Sequence, residues 1–151
     1  MMNFIIHISA AFIATLAAAI TLEVPNFLLY KAGILGGLSY IVFIASASNY
    51  NLYTAYFFAC LFFSFGGHIL ARRFKAPVTI FLIPSFFLYV PGASMYRVAL
   101  YFIQGKYDLS QKYLIETLSI AGIIAVGVFL VDSIFETFYR IYSLRNKRKR
   151  I

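Results

Sequence analysis

The chain has 151 residues, 62% of them hydrophobic and only 12% charged, with a mean hydropathy of +0.85. A soluble domain of this size cannot hide so much apolar surface, so the composition excludes that class and defines an integral membrane protein. The net charge of +8 does not signal nucleic-acid binding, because six of the thirteen basic residues lie between Arg140 and Arg150 and three more at Arg72, Arg73 and Lys75.

A bilayer core of about 30 Å needs about 20 helical residues. Five segments meet this, which predicts an all-α, polytopic bundle of five transmembrane helices. The first span runs from Phe4 to Leu22. Ala17-Ala18-Ala19 resembles a signal-peptidase site, but no Lys or Arg precedes Lys31, so a retained span is expected. Glu23 to Asn26 then form a turn. The second span, Phe27 to Ala47, carries Gly33 and Gly37 in a GxxxG spacing that lets helix backbones approach closely. A polar turn, Ser48 to Asn51, leads to the third span, Leu52 to Leu70, which holds the single cysteine, Cys60. No internal disulfide is possible. The basic loop at Arg72, Arg73 and Lys75 follows. The fourth span occupies Pro77 to Gln104, and a polar loop from Gly105 to Lys112 precedes the fifth, Tyr113 to Val131. Small residues Ser119, Gly122 and Ala125 roughly share one face of that helix. With Gly33 and Gly37, Gly122 is the expected helix-packing position. Residues 1–139 form the expected membrane domain and 140–151 a basic tail.

Basic residues mark the cytoplasmic side of a membrane protein. The loop after span three and the tail lie on one side of a five-span chain. The N-terminus is therefore expected outside and the C-terminus in the cytoplasm. There the tail (Arg145, Lys147 to Arg150) would lie against anionic lipid.

Span four is the most informative stretch. Its 28 residues would reach about 42 Å as one straight helix, against a core of about 30 Å. Pro84 cannot bond the Ile80 carbonyl, nor Pro91 that of Phe87. Gly92 follows directly, where bending is easy. The helix is therefore expected to break between Pro84 and Pro91, and Pro91 would open a second half-helix. Its first amides lack internal partners and carry the positive end of the dipole. Ser94 adds a hydroxyl and Arg97 a full charge. Such a set suits a carboxylate near the midplane, where discontinuous helices serve transporters. The candidate substrate-binding residues are Pro84, Ser85, Pro91, Gly92, Ser94, Tyr96 and Arg97. The alternative is a plain proline kink, with Arg97 snorkelling to the outer headgroups.

Other ionisable groups carry weaker signals. His68 and His7 read as interfacial. Asp132, Glu136 and Arg140 are spaced four apart and read as local ion pairs on one helix. Glu116 is expected at the outer mouth. No metal-ligand spacing, P-loop, nucleophile–base pair or GxGxxG is present, so no enzyme, metal or cofactor is expected.

The phrase ARRFKAPVTIFLIP, followed by VPGASMYR, is similar to the threonine/serine exporter family. So is the Val24-Pro25-Asn26 turn ahead of the span-two glycines. The likeness runs from Leu22 to Tyr139 and resembles the small, roughly 150-residue membrane subunit of the family's split, two-chain form. The resemblance implies a bacterial inner-membrane location, a larger membrane partner of the same family, and export of small amino acids or small dicarboxylates. The family motif falls on Pro77, Pro84, Pro91, Gly92, Tyr96 and Arg97. A reading from another class also stands: an assembly subunit that stabilises a partner without touching solute. A broken, charged span separates the two, because an assembly subunit has no need of its cost.

Overall fold

The computed structural model describes residues 2–148. Every regular element among them is helical. Four helices are long and apolar enough to cross a membrane: α1 (Met2–Thr21), α2 (Asn26–Asn49), α3 (Leu52–Phe74) and α6 (Tyr107–Arg148). Between α3 and α6 lies a bent pair, α4 (Thr79–Phe86) with a 3₁₀ turn at Phe87–Tyr89, and α5 (Gly92–Ile103), inclined at 47°, which by length and composition can serve as one further span. The fold is therefore an all-helical bundle, consistent with five spans and bent where the fourth was expected to break.

Three of the turns share one device. Glu23, Lys75 and Gly105 sit in the left-handed region at φ +55°, +53° and +72°. In each, the next amide reaches back five residues: Val24 N–H to Ala19, Ala76 to Ala71, and Lys106 to Tyr101. These are Schellman closures, which satisfy carbonyls that a helix end would otherwise leave bare. Only Gly105 takes that conformation without steric cost. At the fourth turn Asn51 caps α3, its Oδ1 accepting from Thr54 N–H at 2.9 Å. Lys31 Nζ lies 4.4 Å from the Phe74 ring centroid, which brings the start of α2 and the end of α3 to the same end of the bundle.

Helices α1, α2 and α3 pack as successive antiparallel neighbours, and α4 is wedged against all three. The core runs through Leu28, Ala32, Leu35, Ala59, Phe63, Phe81 and Tyr89 to Ile120 and Ile124 of α6. In contrast, α5 leans almost wholly on α6. The α5–α6 pair thus forms a hairpin attached to the bundle through the α3–α6 contact.

The span-two glycines are spent inside the chain. A Cβ on Gly36 would lie 1.9 Å from Thr15 Oγ1, and one on Gly33 2.8 Å from the Phe12 ring. Gly37 faces the Cβ of Phe12 at 3.5 Å. This face seats α1 and is not free to receive another chain. Gly122 on α6 has open space around it. The loop expected from Gly105 to Lys112 is also shorter, because α6 already starts at Tyr107. Its Asp108 sits in the first turn, where a negative charge complements the helix dipole. The same helix continues past Val131 through Arg148, so the described part of the basic tail is helical. The rest of that tail lies outside the described residues.

Candidate transport site

The break in the fourth span is local in origin. Pro84 lies inside α4 and is buried, and the helix tightens to 3₁₀ three residues later. Val90 then turns extended at φ −59°, ψ 125°, and Pro91 precedes α5 with no side-chain cap. The Gly92 amide donates back to the Val90 carbonyl at 2.7 Å, so one of the amides expected to be free is taken. Met95 makes the first regular bond of α5, to Pro91. Gly92 is exposed with no atom near its missing Cβ, which leaves room at the hinge.

Ser94 is the buried residue of α5. Its hydroxyl donates to Glu116 Oε1 on α6 at 2.9 Å. One turn further along α5, the Arg97 guanidinium stands 5.2 Å from the Tyr113 ring centroid, a cation–π arrangement. Tyr113 is itself stacked on Tyr101 at 5.5 Å. The α5–α6 seam therefore carries a carboxylate and a guanidinium one helical turn apart. Among the described residues no acid pairs with Arg97. Tyr96 projects away and is 66% exposed.

A second cluster anchors the other side of the break. Tyr89, in the 3₁₀ turn, is buried and stacked on Phe63 at 5.4 Å and 10°. Its hydroxyl meets Ser39 Oγ of α2 at 2.7 Å. Ser39 donates its own proton to the Gly36 carbonyl, so Tyr89 is the donor in that pair. Phe43 and Tyr56 close the ring around it. Ser85 is buried but turned into its own helix, donating to Phe81 O at 3.0 Å. Its hydroxyl does not face the seam residues.

A third pairing crosses from α3 to α6. His68 Nε2 and Asp132 Oδ1 are 2.6 Å apart. The His68 ring lies flat on Phe135 at 4.3 Å and 5°, and the Arg72 guanidinium is 4.8 Å from the same ring. Asp132 thus bonds across to α3, not along α6 as its spacing from Glu136 and Arg140 suggests. The Arg140 side chain lies outside the described residues. His7 is exposed on α1. No group of three or more potential metal ligands occurs among the described residues.

The sequence pattern marked the bend at Pro84 to Gly92, but it paired neither Ser94 with Glu116 nor Tyr89 with Ser39. Tyr89 had a usable signal: a phenol inside an apolar run needs a hydrogen-bond partner when buried.

A polytopic bundle with a broken span, and with charge and hydroxyls beside the break, is the architecture of a membrane transport protein. The family model of Threonine/Serine exporter, ThrE, matches residues 7–134, and the chain belongs to that family. No curated protein and no solved structure shows significant similarity to it.

Proposed function

We propose that this chain is the small subunit of a two-chain secondary exporter of small carboxylate-bearing metabolites, either threonine- or serine-type amino acids or a small dicarboxylate. The observation that carries the proposal is the α5–α6 seam. Arg97, Ser94 and Glu116 put opposite charges and a hydroxyl beside a break in an apolar span. Ionisable groups there are costly and mark solute pathways. Arg97 suits a carboxylate, and Glu116 suits an ammonium about one turn away. Of the two solute classes, that pairing favours the amino acid.

The partner is a larger membrane protein of the same family. Its proposed contact is the open face of α6, where Phe57, Leu118, Ser119, Gly122, Ile123 and Val126 line a shallow hollow. The proposed location is the bacterial inner membrane, N-terminus outside. The basic end at Arg72 to Lys75 then meets anionic lipid in the cytoplasm. In that orientation Asn51→Cys is labelled by an impermeant maleimide on intact cells and Lys75→Cys is not.

The test is export from cells that carry the partner and either Arg97→Gln or Glu116→Gln. Each variant keeps much of the side-chain length and loses the charge. At matched membrane levels each should lower export at least tenfold. Export at the unsubstituted rate by both would remove the seam from the solute path and leave an assembly role.

A further inference from the structure

The His68–Asp132 pair has no part in the solute path proposed above, yet it is an ionisable pair inside two apolar helices. Asp132 falls within the apolar stretch Tyr107–Tyr139 of α6, and His68 within α3. Their contact, at 2.6 Å, joins α3 to α6 across 64 residues of chain. Structural ion pairs of this kind are rarely worth keeping in a membrane unless they do something. We propose that His68 and Asp132 form the proton-binding site of this subunit, through which a proton gradient drives transport; this rests on the exporter reading.

The chemistry is simple. An imidazole holds a proton on one ring nitrogen or on both. With Nε2–H donated to Asp132, an arriving proton lands on Nδ1. The pair then passes from a net charge of −1 to zero, and release of the same proton restores it. In low-dielectric surroundings those two states differ strongly in solvation, so protonation can change how α3 and α6 sit together. The Asp132 side chain is 51% exposed on the face of the bundle and that of His68 14%.

The neighbouring charges can be named from every packed element. On α3, Arg72 shares the Phe135 ring with His68. On α6, Glu136 is exposed one turn beyond Asp132. The α4 side contributes no titratable group, since Thr79–Phe86 contains none. On α2, Lys31 sits over Phe74, and no titratable residue follows it before Tyr40.

The pair also abuts α4. A Cβ at Gly67, the residue before His68, would stand 3.8 Å from Leu82 N and from Phe81 Cβ of α4. Asp132 closes one end of an open groove lined by Leu82, Ile83, Phe86 and Pro91. A change at the pair therefore reaches the first half of the broken span directly.

The experiment uses inverted membrane vesicles from source cells whose chromosomal copy carries His68→Gln or Asp132→Asn. Labelled threonine, serine and succinate are the probes. Two quantities are read: accumulation driven by an imposed pH gradient, and solute-for-solute exchange at equal pH. Accumulation should fall at least tenfold in each variant while exchange falls less than threefold. Gradient-driven accumulation equal to that of the unsubstituted chain overturns the proposal. So does parallel loss of exchange in both variants at matched protein levels, which assigns the pair to assembly. Unsubstituted vesicles that carry none of the three probes overturn the exporter reading, and the proton site with it.

Discussion

Removing either partner of the Ser39–Tyr89 bond should give unequal costs, and the inequality follows from which atom donates. Ser39 gives its proton to the Gly36 carbonyl at 2.8 Å and receives one from Tyr89 at 2.7 Å. Both side chains are fully or almost fully buried, at 0% and 1% exposure. Tyr89→Phe deletes the donor, and Ser39 keeps its bond to Gly36. The loss is one interhelical hydrogen bond, about 0.6–1.7 kcal/mol inside a membrane protein. Ser39→Ala instead strands a buried phenolic O–H with no acceptor, which costs about 1–3 kcal/mol. Taking mid-range values, Ser39→Ala should destabilise by about 2 kcal/mol and Tyr89→Phe by about 1 kcal/mol. The double variant removes donor and acceptor together and should cost less than Ser39→Ala alone. Reversible unfolding in mixed micelles, followed by circular dichroism, measures all three. A 2 kcal/mol loss is about a 30-fold change in the folding constant, well within reach of that assay. Additive single-variant costs, or a Tyr89→Phe loss larger than that of Ser39→Ala, would refute the reasoning.

Three further outcomes can be checked with the same assay. Gly36→Val should destabilise by 1–3 kcal/mol or more, because its Cβ would sit 1.9 Å from Thr15 Oγ1, and Thr15→Gly in the same chain should recover part of the loss. Asn51→Ala removes the cap on Thr54 N–H and should cost about 1 kcal/mol, seen also as faster hydrogen exchange at that amide. Lys75→Gly relieves a non-glycine residue at φ +53° and should raise stability by up to about 1 kcal/mol; a loss instead would mean that the lysine charge outweighs the backbone strain.

Local features of this fold were readable from the chain, and distant pairings were not. Pro91 and Gly92 break the span for reasons internal to their own peptide groups, so no knowledge of neighbours was needed. The basic cluster at Arg72, Arg73 and Lys75 likewise marks its loop without reference to the rest. Gly33 and Gly37 announced a close helix contact, but nothing in their spacing named α1 as the helix that fills it. The same limit hid Ser94 from Glu116 and His68 from Asp132. Periodicity places a side chain on a face, while the choice of facing helix depends on how the whole bundle packs. The start and end of α6 were missed for another reason. Hydropathy measures where a helix can lie in lipid, and the charged and polar residues after Val131 lower it without ending the helix.

The length of α6 has a mechanical consequence. Forty-two residues make a rod about 63 Å long, roughly twice the bilayer core. Asp132 and Glu116 are sixteen residues apart on it, or about 24 Å along its axis. A tilt of about 10° about the His68 contact would swing the outer end of that stretch sideways by about 4 Å. Because α5 leans almost wholly on α6, Ser94 would travel with Glu116, and the α5–α6 hairpin would move as one arm against the rest of the bundle.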